Sequence, residues 1–294
     1  MTKRHLAAGW VLPLLVLAAA PAVAQTTKPK KIFVDADAEG MAGVFHVTTQ
    51  VMPITAPRYQ ENRKLITGEL NAAIAGLFDG GAGVVDVADY HSGGNTVAPL
   101  ELDPRAMAGT SRGPLMGLNP SYSAYVFIAF HPMAGTEKGM IAHGYSWTEY
   151  QNIWVNGKPH GELGIRSLLA GTFGIPAIMV SGDEAVCKEL RAIVPNAECA
   201  VVKWGVNRTF GYSLSHQASC AVIRDAARRA MRKLPEIKPY RIEGPVEVKV
   251  EFTPEGMERR LLMPSDGIRK IDSRTWVFRG KDIVDAWSKF GLGF

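Results

Sequence analysis

The sequence has few cysteines, and none is spaced to grip a metal ion. Cys187, Cys199 and Cys220 are the only three among 294 residues, with no C-x-x-C pair and no Cys–His spacing. Thiolate metal binding and a cysteine nucleophile are therefore not the chemistry to expect. An oxidising compartment would permit one disulfide and leave one thiol over. A strong surplus of one charge is missing too: 33 Lys and Arg stand against 28 Asp and Glu, without a compact basic cluster. That balance leaves no electrostatic footprint for a nucleic acid. After residue 24, no apolar run approaches the ~20 residues of a membrane-spanning helix. Internal repeats and low-complexity tracts are absent beyond the first residues.

Those first residues form a recognisable leader. Lys3 and Arg4 precede the apolar run WVLPLLVLAAAPAVA (10–24), which ends in Ala22-Val23-Ala24. This is the pattern of a secretory signal peptide, 1–24, cut before Gln25. Pro13 and Pro21 argue against an uncleaved anchor helix. The expected mature chain is exported, periplasmic or secreted, with no membrane attachment after cleavage. Loss of Lys3 and Arg4 lowers its formal charge from +5 to +3.

The remainder alternates short apolar runs with helical patterns. KIFVD (31–35), GVVDVA (83–88), YVFIAF (125–130), 177–180 and 200–203 read as strands. Residues 57–81, 162–172, 184–193 and 215–233 read as helices, and Asn156-Gly157 as a hairpin turn. This β-α-β alternation predicts an α/β fold with a mainly parallel sheet flanked by helices, over 25–238. From residue 239 the pattern changes to alternating strands at 247–252 and 275–279 and short helices near 255–262 and 281–289. That predicts a smaller C-terminal α+β subdomain, 239–294.

The ionisable residues fall at strand ends. The first strand runs into Asp35, Asp37 and Glu39; the second into Asp89 and His91; the third into His131. Ligand crevices of open α/β sheets lie at these carboxyl ends, so residues far apart in sequence can converge there. His143 follows in a glycine-containing loop, and HGELG (160–164) brings His160 and Glu162 to a helix start. Singly, each has a plainer role: a hydrogen-bonded loop histidine, an Asx turn at Asp37, a helix-dipole partner at Glu162. Together, carboxylates and imidazoles without thiolates suit Zn²⁺ or Mn²⁺. Asp35, Asp37 and Glu39 share one strand face, where three like charges repel. Two ions bridged by a shared aspartate would neutralise them.

The segments D-A-E-G (37–40), D-Y-H-S (89–92), F-H-P-M (130–133), A-H-G-Y (142–145) and N-G-K-P-H-G-E-L-G (156–164) occur in this order. In that order and spacing the chain resembles the DppA-type D-aminopeptidases, from about residue 31 to 196 and more loosely beyond. The resemblance implies a zinc metallopeptidase with two Zn²⁺ per subunit. Asp37 would bridge the ions, Glu39 and His131 would complete one, and His91 and Glu162 the other. His143 would be the catalytic histidine. Asp35 is expected outside the ligand set, either supporting a ligand from behind or paired with a base that the sequence does not identify. The implied reaction removes an N-terminal residue, such as D-Ala, from short peptides with a water shared by the ions as nucleophile. The implied assembly is a ring-type homo-oligomer, a decamer. The competing readings are another exported two-metal hydrolase (phosphoesterase or amidase) and a non-catalytic metal-binding periplasmic protein. The first strand does not run into the D-x-H opening of calcineurin-like phosphoesterases, and their G-N-H-E run is missing.

Overall fold

The computed structural model of the chain describes residues 1–2, 29–110 and 117–290, so the expected leader lies outside it apart from its first two residues. β1 (Lys31–Ala36) leads through α1 (Tyr59–Asp79) to β2 (Val84–Asp89), β3 (Ala106–Thr110) and β4 (Ala124–Phe130). The hairpin β5 (Tyr150–Val155) and β6 (Lys158–Pro159) precedes α2 (Glu162–Thr172) and β7 (Ala177–Asp183). Then come α3 (Glu184–Ile193), β8 (Glu198–Gly205), β9 (Gly211–Ser213) and α4 (His216–Lys233). The C-terminal part holds β10 (Val246–Phe252), α5 (Pro254–Glu258), β11 (Ile268–Lys270), β12 (Thr275–Gly280) and α6 (Ile283–Lys289).

Seven strands form the first sheet in the order β3-β2-β1-β4-β7-β8-β9. Its pairs are parallel except the last, β8 with β9. A parallel sheet must be covered on both faces, and its inner strands read as unbroken apolar runs. β4 (AYVFIAF) meets that rule and is buried at every position, as is β7. Two helix pairs supply the cover, α1 against α4 and α2 against α3. The starts of α3 and α4 are fixed chemically: the side chains of Asp183 and Ser215 accept from the amides of Val186 and Ala218.

The second sheet is antiparallel, in the order β11-β12-β10-β5-β6. Asn156 and Gly157, the turn expected from sequence, have φ of 47° and 77°, the left-handed pair that a two-residue type I′ hairpin needs. This hairpin pairs with β10, so the small sheet draws strands from both sequence segments, 25–238 and 239–294.

α2 lies between the two layers. Ile165, Leu168 and Leu169 enter the core of the second sheet with Phe252 and Trp287, while Leu163 and Ala170 enter that of the first. Every residue from Glu162 to Gly171 is buried. A helix held from both sides fixes whatever its first turn presents.

Cys187, Cys199 and Cys220 are free thiols, and the Cys199 thiol donates to the Cys187 carbonyl at 3.4 Å. Among the described residues no helix is long and apolar enough to cross a membrane.

Candidate metal centre

The order of the first sheet reverses between β1 and β4, because β2 and β3 lie on one side of β1 and the later strands on the other. The carboxyl ends of strands at such a reversal open a crevice. Asp37 and Glu39 follow β1, His91 follows β2, His131 follows β4, and Glu162 is the first residue of α2. All five expected ligands meet in that crevice as two groups, Asp37–Glu39–His91 and Asp37–His131–Glu162. The donor atoms within each group lie within 4.8 Å of one another.

Asp37 belongs to both groups, as expected, but the other four pair differently. Glu39 sits with His91, and His131 with Glu162. The sheet order gives the reason: β2 and β4 flank β1 on opposite sides, so His91 and His131 approach Asp37 from opposite directions. His91 Nδ1 lies 3.0 Å from Asp37 Oδ1 and 3.3 Å from Glu39 Oε2. His131 Nε2 lies 3.6 Å from Asp37 Oδ2 and 3.5 Å from Glu162 Oε2.

Buried Asp37 Oδ2, Glu39 Oε2 and His91 Nε2 make no hydrogen bond among the described residues. Unpaired buried acceptors are costly, and three carboxylates beside two imidazoles form a donor set suited to divalent ions. Without an ion, protons must do part of its work. Burial opposes charge on His131, yet Glu162, Asp37 and Glu39 outweigh it and raise the imidazole to about 9. Burial likewise opposes charge on His91, and Glu39 with Asp37 carries it well above its usual value. Burial also resists ionisation of Glu39, but the two imidazoles hold it well below the ordinary carboxylate range. The residues fit the group that the sequence implies.

A cavity of about 190 Å³ opens in front of these side chains, walled by Met52, Tyr90, His143, Tyr145 and Trp147. The His143 ring stacks on His131 with centroids 3.6 Å apart and meets Trp147 edge-on at 5.2 Å. Its Nδ1 lies 2.8 Å from the Ile141 carbonyl. A carbonyl only accepts, so Nδ1 carries the proton and Nε2 keeps a free lone pair. Burial, reinforced by His131 beside it, pushes His143 down to about 3. The ring is therefore neutral near pH 7.

The model of the D-aminopeptidase family matches residues 30–292. The chain belongs to that family. A D-aminopeptidase of Bacillus subtilis (strain 168) is 28% identical over 262 residues, covering 87% of this chain and 94% of its own. The solved Zn-dependent D-aminopeptidase DppA from Bacillus subtilis, described as a self-compartmentalizing protease, aligns with a TM-score of 0.80 at 27% identity. That alignment covers 89% of this chain and 96% of the solved one. The α/β fold expected from sequence is the fold found, and the protein is a metallo-aminopeptidase.

The D-aminopeptidase fold aims its ligands through backbone detail that sequence patterns do not carry. Ala129, inside β4, has φ of 64°, and the pairing with β7 slips between Phe127 and Phe130. The Ala129 amide donates to Ser181 Oγ at 2.9 Å, and its carbonyl accepts from Gly40 at 2.7 Å. This bulge turns the strand just before His131 and docks it on the residue after Glu39.

The segment from Glu39 to Val44 is tied down by residues that carried no sequence signal. Lys203, fully buried, donates to the carbonyls of Glu39 and Val44, and burial pushes its ammonium down to about 8. Glu69 Oε1 accepts from the Ala42 amide and the Ser219 hydroxyl, both at 3.0 Å. Burial raises Glu69 to about 7 against those hydrogen bonds and the Lys203 charge. The folded state then binds more protons than the unfolded one between about pH 4.5 and 7, so this group's contribution falls as pH rises through that window. Glu69→Gln cannot titrate. The variant's chelator-treated melting temperature should therefore gain on wild type between about pH 5 and 8, by roughly 2–3 kcal/mol of stability. Parallel melting curves check this, and a pH-independent difference would contradict it.

Two sequence candidates serve elsewhere. Asp89 accepts from the amides of Thr96 and Val97 at 2.7 and 2.8 Å, which staples the loop after β2. His160 spans the Lys158 carbonyl and the Tyr240 hydroxyl at 2.9 and 3.0 Å and joins neither ligand group. Asp35 is outside both groups too, and its unknown base is Arg166, at 2.5 Å. Arg166 also contacts Glu162, four residues earlier on α2; that i,i+4 spacing was the one signal available.

Proposed function

We propose that this D-aminopeptidase holds two Zn²⁺ ions per subunit and removes an N-terminal D residue, such as D-Ala, from short peptides. One observation carries the reading: two three-residue groups share Asp37 at the floor of a cavity that His143 overlooks. Asp37, Glu39 and His91 would hold one ion, and Asp37, His131 and Glu162 the other. Two such ions supply Lewis-acid activation of water and of the scissile carbonyl, and an anchor for a free amine.

The side chains around them divide the remaining work. His143 offers the bare Nε2 to the cavity, so it accepts a proton from the attacking water and returns it to the leaving amine. Its Nδ1 proton, given to Ile141, holds the ring in that tautomer. Oxyanion stabilisation by neutral His143 Nε2 is disfavoured, since that atom has no hydrogen to donate. Trp147 and Tyr145 wall the cavity, and its modest volume suits a small terminal side chain better than an aromatic one. His143→Ala should retain both ions and a wild-type melting temperature while turnover falls by roughly 10²–10⁴-fold. Metal analysis beside kcat measures this, and near-normal turnover with two ions bound removes His143 from the reaction.

The deciding experiment is a panel of D- and L-aminoacyl dipeptides and a phosphate ester, each with zinc-loaded and chelated protein. Cleavage of D-Ala peptides alone, abolished by the chelator, supports the reading. Equal turnover of L and D peptides removes the stereochemical part, and hydrolysis of the ester alone removes the whole. Export rests on the leader pattern at 1–24 and would be read from the N-terminal residue of protein recovered outside the cytoplasm. A ring-type homo-oligomer, a decamer, is the assembly we propose. It rests on the sequence resemblance and on the self-compartmentalizing character of the Bacillus enzyme; native mass tests it.

A further inference from the structure

Arg166 presents three edges to three different partners. Its Nη2 donates to Glu162 Oε1, its Nη1 to Asp35 Oδ2 at 2.5 Å, and its Nε to the Tyr145 hydroxyl at 3.4 Å. The guanidinium lies 4.7, 5.6 and 5.4 Å from the ring centroids of Tyr90, Phe130 and Tyr145. Arg166 is 5% exposed and Asp35 is fully buried. Asp35 Oδ2 also accepts from the Tyr125 hydroxyl at 2.6 Å. Asp35 lies on β1, two residues before Asp37, which follows the strand, and Arg166 joins Asp35 to Glu162. Both charges are therefore fixed beside the ligand cluster, in contact with it through Glu162.

Two consequences follow from this geometry. With Oε1 of Glu162 engaged by Arg166, only Oε2 is left turned toward His131. The guanidinium thus sets which oxygen, and how many, the carboxylate can offer. A bare guanidinium there would repel any cation bound by Glu162, strongly so in a buried site. Asp35 cancels that charge from the far side while leaving the fork in place.

We infer that Asp35 and Arg166 form one neutral positioning unit, which fixes Glu162 as a single-oxygen ligand without placing net positive charge beside the bound ion. The inference rests on the two-metal reading above. Neither residue touches substrate; both act through Glu162.

The test measures zinc affinity ion by ion, by competition with a chromophoric chelator, in full-length wild type, Arg166→Met, Asp35→Asn and the double variant. Far-UV circular dichroism of the chelated proteins checks folding. Arg166→Met should weaken one ion by about 10–100-fold, as loss of ligand support does, while the other stays within about threefold. Asp35→Asn should weaken the same ion further, because it leaves the guanidinium uncompensated. The double variant should bind like Arg166→Met alone, a non-additive result expected only of a coupled pair. Arg166→Lys keeps the charge and loses the fork, so it keeps the idea testable if Asp35→Asn does not fold. Its cobalt-loaded form should show an altered visible spectrum with the same single ion weakened. Equal weakening of both ions, additive losses, or unchanged binding in Arg166→Met and Arg166→Lys would overturn the proposal. Wild type that binds one ion refutes the two-metal reading instead, and the unit then stands or falls on whether Arg166→Met weakens that ion.

Discussion

Asp37→Ala should yield a folded protein that holds neither ion tightly and cleaves D-aminoacyl peptides on the order of 10⁴-fold more slowly. Asp37 is the one residue common to both donor groups, with Oδ1 toward His91 and Oδ2 toward His131. Its loss leaves Glu39 with His91 and His131 with Glu162, two donors each. A catalytic zinc site ordinarily keeps three protein ligands, so both fall below that number at once. Glu162→Ala is the contrast, since it empties one group and leaves Asp37, Glu39 and His91 complete. Folding should survive Asp37→Ala because Glu39 and Glu162 remain as carboxylate partners for His91 and His131 when no ion is bound. Zinc per subunit after exhaustive dialysis, read beside kcat/KM on a D-Ala anilide, checks both halves. An Asp37→Ala protein that still carries one tight ion would show that the groups do not share this residue.

What the sequence revealed here follows from where information is local. β4 is legible because AYVFIAF is buried on both faces and so carries no polar interruption. The five expected ligands are legible because each stands within three residues after a strand or at a helix start, positions set by neighbouring residues. The pairing of those ligands is not local. It depends on β1 lying between β2 and β4, and sequence order does not state that arrangement. Arg166 and Asp35 are likewise 131 positions apart, and nothing near either residue names the other. β3 (AMAGT) and β9 (GYS) escaped because both are short edge strands. An edge strand pairs on one side only and needs little apolar patterning. The bulge at Ala129 escaped for a different reason: a positive φ at alanine contradicts its local preference and persists only because Ser181 and Gly40 hold its amide and carbonyl.

Gly40→Ala should damage both the fold and the metal centre, although the residue has no side-chain chemistry. A Cβ at position 40 would lie 2.1 Å from the Phe130 carbonyl oxygen and 2.4 Å from the Ala129 carbonyl carbon. Both are backbone atoms of the bulge, so no rotamer change relieves the overlap. Either the segment after β1 lifts or β4 retreats. Lifting breaks the Gly40–Ala129 hydrogen bond and carries Glu39 and its contact with Lys203 away. Retreat displaces His131, the next residue after Phe130. One movement spoils the first donor group and the other spoils the second. The expected result is a stability loss of about 1–3 kcal/mol from overpacking, with at least one ion lost or weakened by roughly 10-fold or more. Gly109→Ala on β3 is the matched control, since its added Cβ would meet nothing nearer than the Val87 carbonyl oxygen at 3.8 Å. That exchange should leave zinc content unchanged and the melting temperature equal or slightly higher. If Gly40→Ala melts and binds zinc as Gly109→Ala does, the close approach of the two strand ends is not what sets the ligands.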